Sequence, residues 1–208
     1  MSSYIMHMCV SDIVKRKLNL TDKFIYGSIL PDILKMATGD RQGSHFLEKT
    51  NVGDYERNLP VIDKAIKELD IEDFEIKLGY IAHLVEDLIW FNDFIPTFAK
   101  KLENNKYMYL QTGEVKSGQD FTKDIYSDYA NCGAHVIQNT NTDMDALKKS
   151  VSSYITEDNC LNFMLENTEY TKISDLQKNH FMTKECIDKY IERTTKAVEK
   201  IVLELMGE

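Results

Sequence analysis

Between about Asp73 and Asn92 the chain reads through LGYIAHLVEDLIWF, a run that is apolar on nearly every side. A surface helix keeps one polar face toward water, so a helix that is apolar all round has to be enclosed by others. The run therefore predicts a buried central helix, and the fold class it implies is all-α, a multi-helix bundle built around that helix. Only 9 glycines and 3 prolines punctuate the 208 residues, which favours long helices over a turn-rich sheet protein. The length suits a single helical domain over residues 1–208, and no repeat, low-complexity tract or linker divides it.

Other elements follow from local signals. Residues 4–18 read as a helix, with Ile5, Cys9, Ile13 and Leu18 toward one side. Asp22 is placed to cap a second helix, KFIYGSIL, that stops near Pro31. Residues 38–58, rich in Gly, Thr, Asn and Asp, read as a long loop carrying His45 in its middle or at the start of a short helix. Pro60 suits the first turn of a helix through Leu69, and Pro96 the start of another. Residues 104–118 read as a loop. Helices are expected over 119–138, 143–155 and 158–167, with Asp143 capping the second. A final helix begins near Thr183, with Ile187, Ile191, Val198, Ile201, Val202 and Leu205 at amphipathic spacing.

The net charge of −9 disfavours nucleic acid as the main partner, because phosphate backbones are held chiefly by Lys and Arg. No basic region followed by an apolar stretch marks a secretory signal, and no run has the uncharged length of a spanning helix. Cys9, Cys132, Cys160 and Cys186 are widely spaced and read as reduced thiols. Together these features predict a cytoplasmic protein without stable membrane insertion.

Inside the apolar run, His83 and Asp87 are four residues apart and project from one face of the helix. A buried, mutually satisfied pair is one explanation. A divalent metal is the other, since imidazole and carboxylate are common ligands of such ions. Asp32, at the end of GSILPD, and His45, in GSHF, sit where the backbone changes direction. Two imidazoles and two carboxylates suit zinc, and also iron or manganese. A metal-held water is acidified into a nucleophile, so the chemistry expected is hydrolysis, most naturally of a phosphate ester. Cys9 lies two residues from His7 and is a marginal candidate. Trp90, Phe91 and Phe94 read either as pocket wall or as core, and Tyr80 is equally ambiguous. His135 and His180 lie in polar surroundings and are not expected to be ligands. Asp128 and His135 share a helix face that is either solvated or turned toward the site.

The order His7, PD at Asp32, HF at His45, then GYIAHLVED resembles the zinc-dependent phospholipase C family, which shares an all-helical fold with single-strand-specific fungal nucleases. The resemblance covers roughly residues 5–95. It implies that Asp32, His45, His83 and Asp87 surround one zinc, and that His7 with a bridging Asp87 holds another. Three departures are visible. The secreted members use a processed N-terminal amine as a ligand, and Met1 is not expected to take that role here. Asp93 stands where the family has a further histidine. A later H-x-x-x-E segment is missing between Asp93 and Asp128. One or two zinc ions are therefore expected, with Asp32 or Asp93 orienting water.

The reading is a metal-dependent phosphoesterase acting on a small-molecule or lipid phosphoester. Its rival is a non-catalytic helical domain that keeps a structural metal and works by binding a partner. An HD-type phosphohydrolase would carry a His–Asp dipeptide, and the chain has none.

Overall fold

The computed structural model describes residues 3–52, 55–155 and 176–207. Most helices open on a side-chain oxygen that accepts a backbone N–H otherwise left without a partner. Ser3 opens α1 (Tyr4–Leu18), Thr21 opens α2 (Asp22–Thr38) and Asp40 opens the single turn α3 (Arg41–Ser44). An antiparallel hairpin follows, β1 (Leu47–Val52) with β2 (Tyr55–Pro60), Leu47 lying opposite Pro60. The uncapped α4 (Ile62–Glu68) leads to α5 (Phe74–Ile89), whose cap Asp73 accepts from Glu75 and Ile76. A π turn (Trp90–Phe94) and the four-residue α6 (Ile95–Phe98) extend α5. A three-stranded antiparallel sheet comes next, in the order β3 (Ala99–Leu102), β4 (Lys106–Tyr109), β5 (Val115–Ser117). Ser117, Asp143 and Thr183 then cap α7 (Gly118–Thr140), α8 (Met144–Ser152) and α9 (Lys184–Met206).

The central helix is where the apolar run placed it. Leu78, Tyr80, Ile81, Ala82 and Leu84 of α5 are almost wholly buried. On one side Leu78 and Ala82 join Met8, Phe24, Ile25, Val136, Val198 and Val202 in a core shared by α1, α2, α7 and α9. On the other, Tyr80, Ile81 and Leu84 pack with Ala65 of α4. The closest packing is between α2 and α5. A Cβ on Gly27 would stand 2.2 Å from the Ile76 carbonyl oxygen, and one on Gly79 would stand 2.1 Å from that of Phe24. Glycine at both positions lets the two backbones touch.

Several local expectations need correction. Pro31 does not end α2, which continues to Thr38; the ring removes only its own N–H, and Gly27 loses one helical donor. Thr21, not Asp22, caps that helix, and Asp22 forms an ion pair with Lys15. The segment expected as loop over 38–58 holds α3 and a hairpin, and that over 104–118 holds β4 and β5. Both strand pairs are too polar to show alternation in sequence. Pro60 closes β2 and does not open a helix. The helix expected over 158–167, with Cys160 and Met1, lies outside the described residues. Among the described residues no helix is long and apolar enough to cross a membrane.

Candidate metal centre

Four elements deliver six polar side chains to one buried point. α1 carries His7, α2 carries Asp32, the end of α3 presents His45, and α5 carries His83, Glu86 and Asp87. His7, His45, His83, Glu86 and Asp87 have no exposed surface, and the Asp32 side chain retains 18%. Burying this many ionisable groups is costly unless they are paired or hold a metal.

The histidines are held from behind. His83 Nδ1 lies 2.7 Å from the Ser28 carbonyl oxygen, which can only accept, so Nδ1 carries the proton and Nε2 is bare. His45 Nδ1 lies 2.9 Å from the Ser44 hydroxyl. The Tyr80 hydroxyl donates to the Ser44 carbonyl and fixes the turn that presents His45. Such rear hydrogen bonds set tautomer and ring direction in metal-binding histidines.

The front atoms converge. His45 Nε2 is 3.3 Å from His83 Nε2 and 3.5 Å from Asp32 Oδ1. Two atoms each about 2.1 Å from a tetrahedral zinc stand roughly 3.4 Å apart. Asp87 divides its oxygens: Oδ2 is 4.0 Å from both His45 Nε2 and His83 Nε2, whereas Oδ1 is 3.6 Å from His7 Nε2. Two overlapping donor groups result, Asp32–His45–His83 and His7–His83–Asp87, each with atoms close enough to share an ion. The His7 and His83 rings stack at 3.8 Å.

Protonation fits this use. Burial, together with the charge of His7, pushes His83 down to about 3, so it is a neutral ligand. Burial opposes ionisation of Asp32, but the hydrogen bond with His45 and the charges of Lys35 and His7 outweigh it and hold Asp32 well below the usual range. Burial also works against a charged His7, yet Glu86 and Asp87 carry its imidazole up to about 10. Burial lifts Glu86 to about 7.

Compared with models of protein families, the chain matches the one described as zinc dependent phospholipase C over residues 6–204. The chain belongs to the zinc-dependent phospholipase C family. The match takes in the second half as well, beyond the residues 5–95 in which the resemblance is legible. No curated protein and no solved structure matched the chain. The buried His/Asp group could hold an ion, and its imidazole and carboxylate donors fit zinc.

Other candidates fall elsewhere. Asp93 does not join the cluster: the π turn changes the register after Ile89, and Asp93 pairs with Arg193 of α9 at 2.8 Å. The expectation that it orients water is corrected accordingly. Asp128 is fully buried but accepts the backbone N–H groups of His180, Phe181 and Met182 at 2.7–3.0 Å. His180 also pairs with Asp128, and His135 pairs with Asp188 of α9. Cys9 is buried against Met144, its thiol pushed up to about 12 by burial. Trp90 and Phe94 are core, packed edge-on against Tyr190. Phe91 is partly buried beneath Arg41, whose guanidinium carbon lies 5.9 Å from the ring centre. Glu86 was missed in the sequence. Its signal was a second acid inside the apolar run, three residues after His83.

Proposed function

We propose that this chain hydrolyses a phosphodiester at a zinc centre held by Asp32, His45, His83 and Asp87, with His7 and Asp87 serving a second ion. The family is one of metal-dependent phosphodiester hydrolysis, and a lipid phosphoester is the substrate class it suggests. The observation that carries the reading is the convergence of His45 Nε2, His83 Nε2 and Asp32 Oδ1 at 3.3–3.5 Å, with Asp87 Oδ2 at 4.0 Å from both nitrogens. Zinc bound there would supply Lewis acidity toward a phosphoryl oxygen and an acidified water.

The chain's own groups have separable tasks. Ser28 and Ser44 hold the imidazoles from behind, and the Ser28 carbonyl keeps the His83 proton on Nδ1, away from the centre. Asp32, the only member of the set with exposed surface, is placed to orient a water entering from solvent. Lys35 lies 3.5 Å from Asp32, and Arg41 sits one turn before His45 without an acidic partner among the described residues. Both supply positive charge for an anionic ester next to the segments that deliver the ligands.

The test uses protein purified without chelator. Zinc is measured by elemental mass spectrometry, and turnover is measured on bis(p-nitrophenyl) phosphate and on phosphatidylcholine micelles. Zinc-dependent hydrolysis of at least one diester, abolished in His83→Ala, is expected. Zinc-loaded protein that cleaves neither would leave the partner-binding domain as the better account.

A further inference from the structure

His7 Nε2 is turned toward Asp87, and its other nitrogen meets Glu86. His7 Nδ1 lies 3.1 Å from Glu86 Oε2, with both side chains fully buried. The contact is an ion-pair distance without hydrogen-bond geometry: neither His7 nitrogen and neither Glu86 oxygen has a well-directed partner among the described residues. The backbone of Glu86 is anchored separately, its carbonyl facing the Tyr190 hydroxyl at 3.5 Å. A buried carboxylate of this kind needs a compensating charge close by.

We infer that Glu86 is the positioning residue of the second metal subsite: its carboxylate holds His7 through Nδ1, so that Nε2 and Asp87 Oδ1 face one ion between them. This rests on the zinc reading above. Two arguments support it. Carboxylate behind imidazole is the usual second partner of a metal-binding histidine, fixing tautomer and ring direction and raising the basicity of the ligating nitrogen. Glu86 and Asp87 are consecutive on α5, so one helix turn orients the ligand and also supplies its partner. Glu86 is not a ligand itself, because it faces the nitrogen turned away from Asp87.

The test compares wild type, His7→Ala, Glu86→Gln and Glu86→Leu, each reconstituted with zinc and titrated against a chromophoric chelator. Wild type should hold two equivalents and His7→Ala one. Glu86→Leu should bind the second equivalent about 10–100-fold more weakly and the first with unchanged affinity. Glu86→Gln keeps an acceptor for Nδ1–H without the charge and should fall between. With cobalt in place of zinc, Glu86→Leu should lose the same visible bands as His7→Ala. Wild-type affinity for both equivalents in both Glu86 variants would overturn the inference. So would variants that lower only the melting temperature of metal-free protein, a packing role alone. One equivalent in wild type, unaffected by His7→Ala, would overturn it while leaving the principal centre standing. No zinc in wild type would overturn both.

Discussion

Gly27 of α2 and Gly79 of α5 face each other where the two helices touch, and each leaves room only for a hydrogen atom. That contact sets the distance between Asp32 and Ser28 on one helix and His83 on the other. A methyl group at position 79 would have to displace backbone, not a flexible side chain. Gly79→Ala should therefore destabilise the fold by about 3 kcal/mol or more, the upper range of overpacking costs. It should also weaken zinc binding. Gly39→Ala has open space around it and suffers only from a positive φ, so it should cost about 1–2 kcal/mol and leave zinc affinity unchanged. Denaturant titration and chelator competition on both variants check this.

His83→Ala and Asp87→Ala should each lose the principal zinc. An ion bound only by the folded state, at a thousandfold excess over Kd, adds about 4 kcal/mol. For a chain of this size that amounts to a Tm higher by about 10 °C. Both variants should forgo this increment, while wild type stripped by chelator should melt close to them. Full zinc content and an unchanged Tm in both variants would refute the assignment.

Zinc binding should release protons at neutral pH. In the metal-free protein His7 is raised from 6.5 to about 10. The stabilisation from its cation is fully present below about pH 6.5 and is lost as the pH climbs toward 10. An ion taking His7 Nε2 has to displace that proton, so affinity for the second equivalent should rise with pH across the neutral range. Calorimetry in buffers of differing ionisation enthalpy should show more proton release for wild type than for His7→Ala. Equal release in the two proteins would remove His7 from the ligands.

Asp128→Ala should unfold more readily and still bind zinc. The substitution takes the acceptor from the N–H groups of residues 180–182, of which that of Met182 is buried, and a buried group left unpaired costs about 1–3 kcal/mol. A loss of about that size is expected, with zinc content unchanged. A zinc-free but stable Asp128→Ala would return Asp128 to the site.

The parts of this molecule visible in sequence are those with short-range signatures. The buried helix shows as an apolar run, His83 and Asp87 as a spacing of four, and His7, Asp32 and His45 as an ordered series of short phrases. Asp143 and Thr183 announce their helices because capping is local. What stayed hidden depends on partners far along the chain. Asp128 is explained by N–H groups 52–54 residues later, and Asp93 by Arg193 on α9. The π turn over WFNDF has no composition of its own, so the rotation of Asp93 away from the cluster could not be read. The strands LEKTNV and YERNLP are rich in polar residues and show no period of two in sequence. Glu86 was hidden by its neighbour, since Asp87 already accounted for the acid in the run.

The Ser28 carbonyl that grips His83 has one further consequence. It belongs to the main chain, so replacing the residue at position 28 does not remove it. The imidazole is aimed by the course of a helix and not by an exchangeable side chain. Anything that slides α2 along α5 by a fraction of an ångström turns the His83 ring. Metal affinity in this molecule should thus act as a gauge of helix position, drifting with substitutions along the crossing that never touch a ligand.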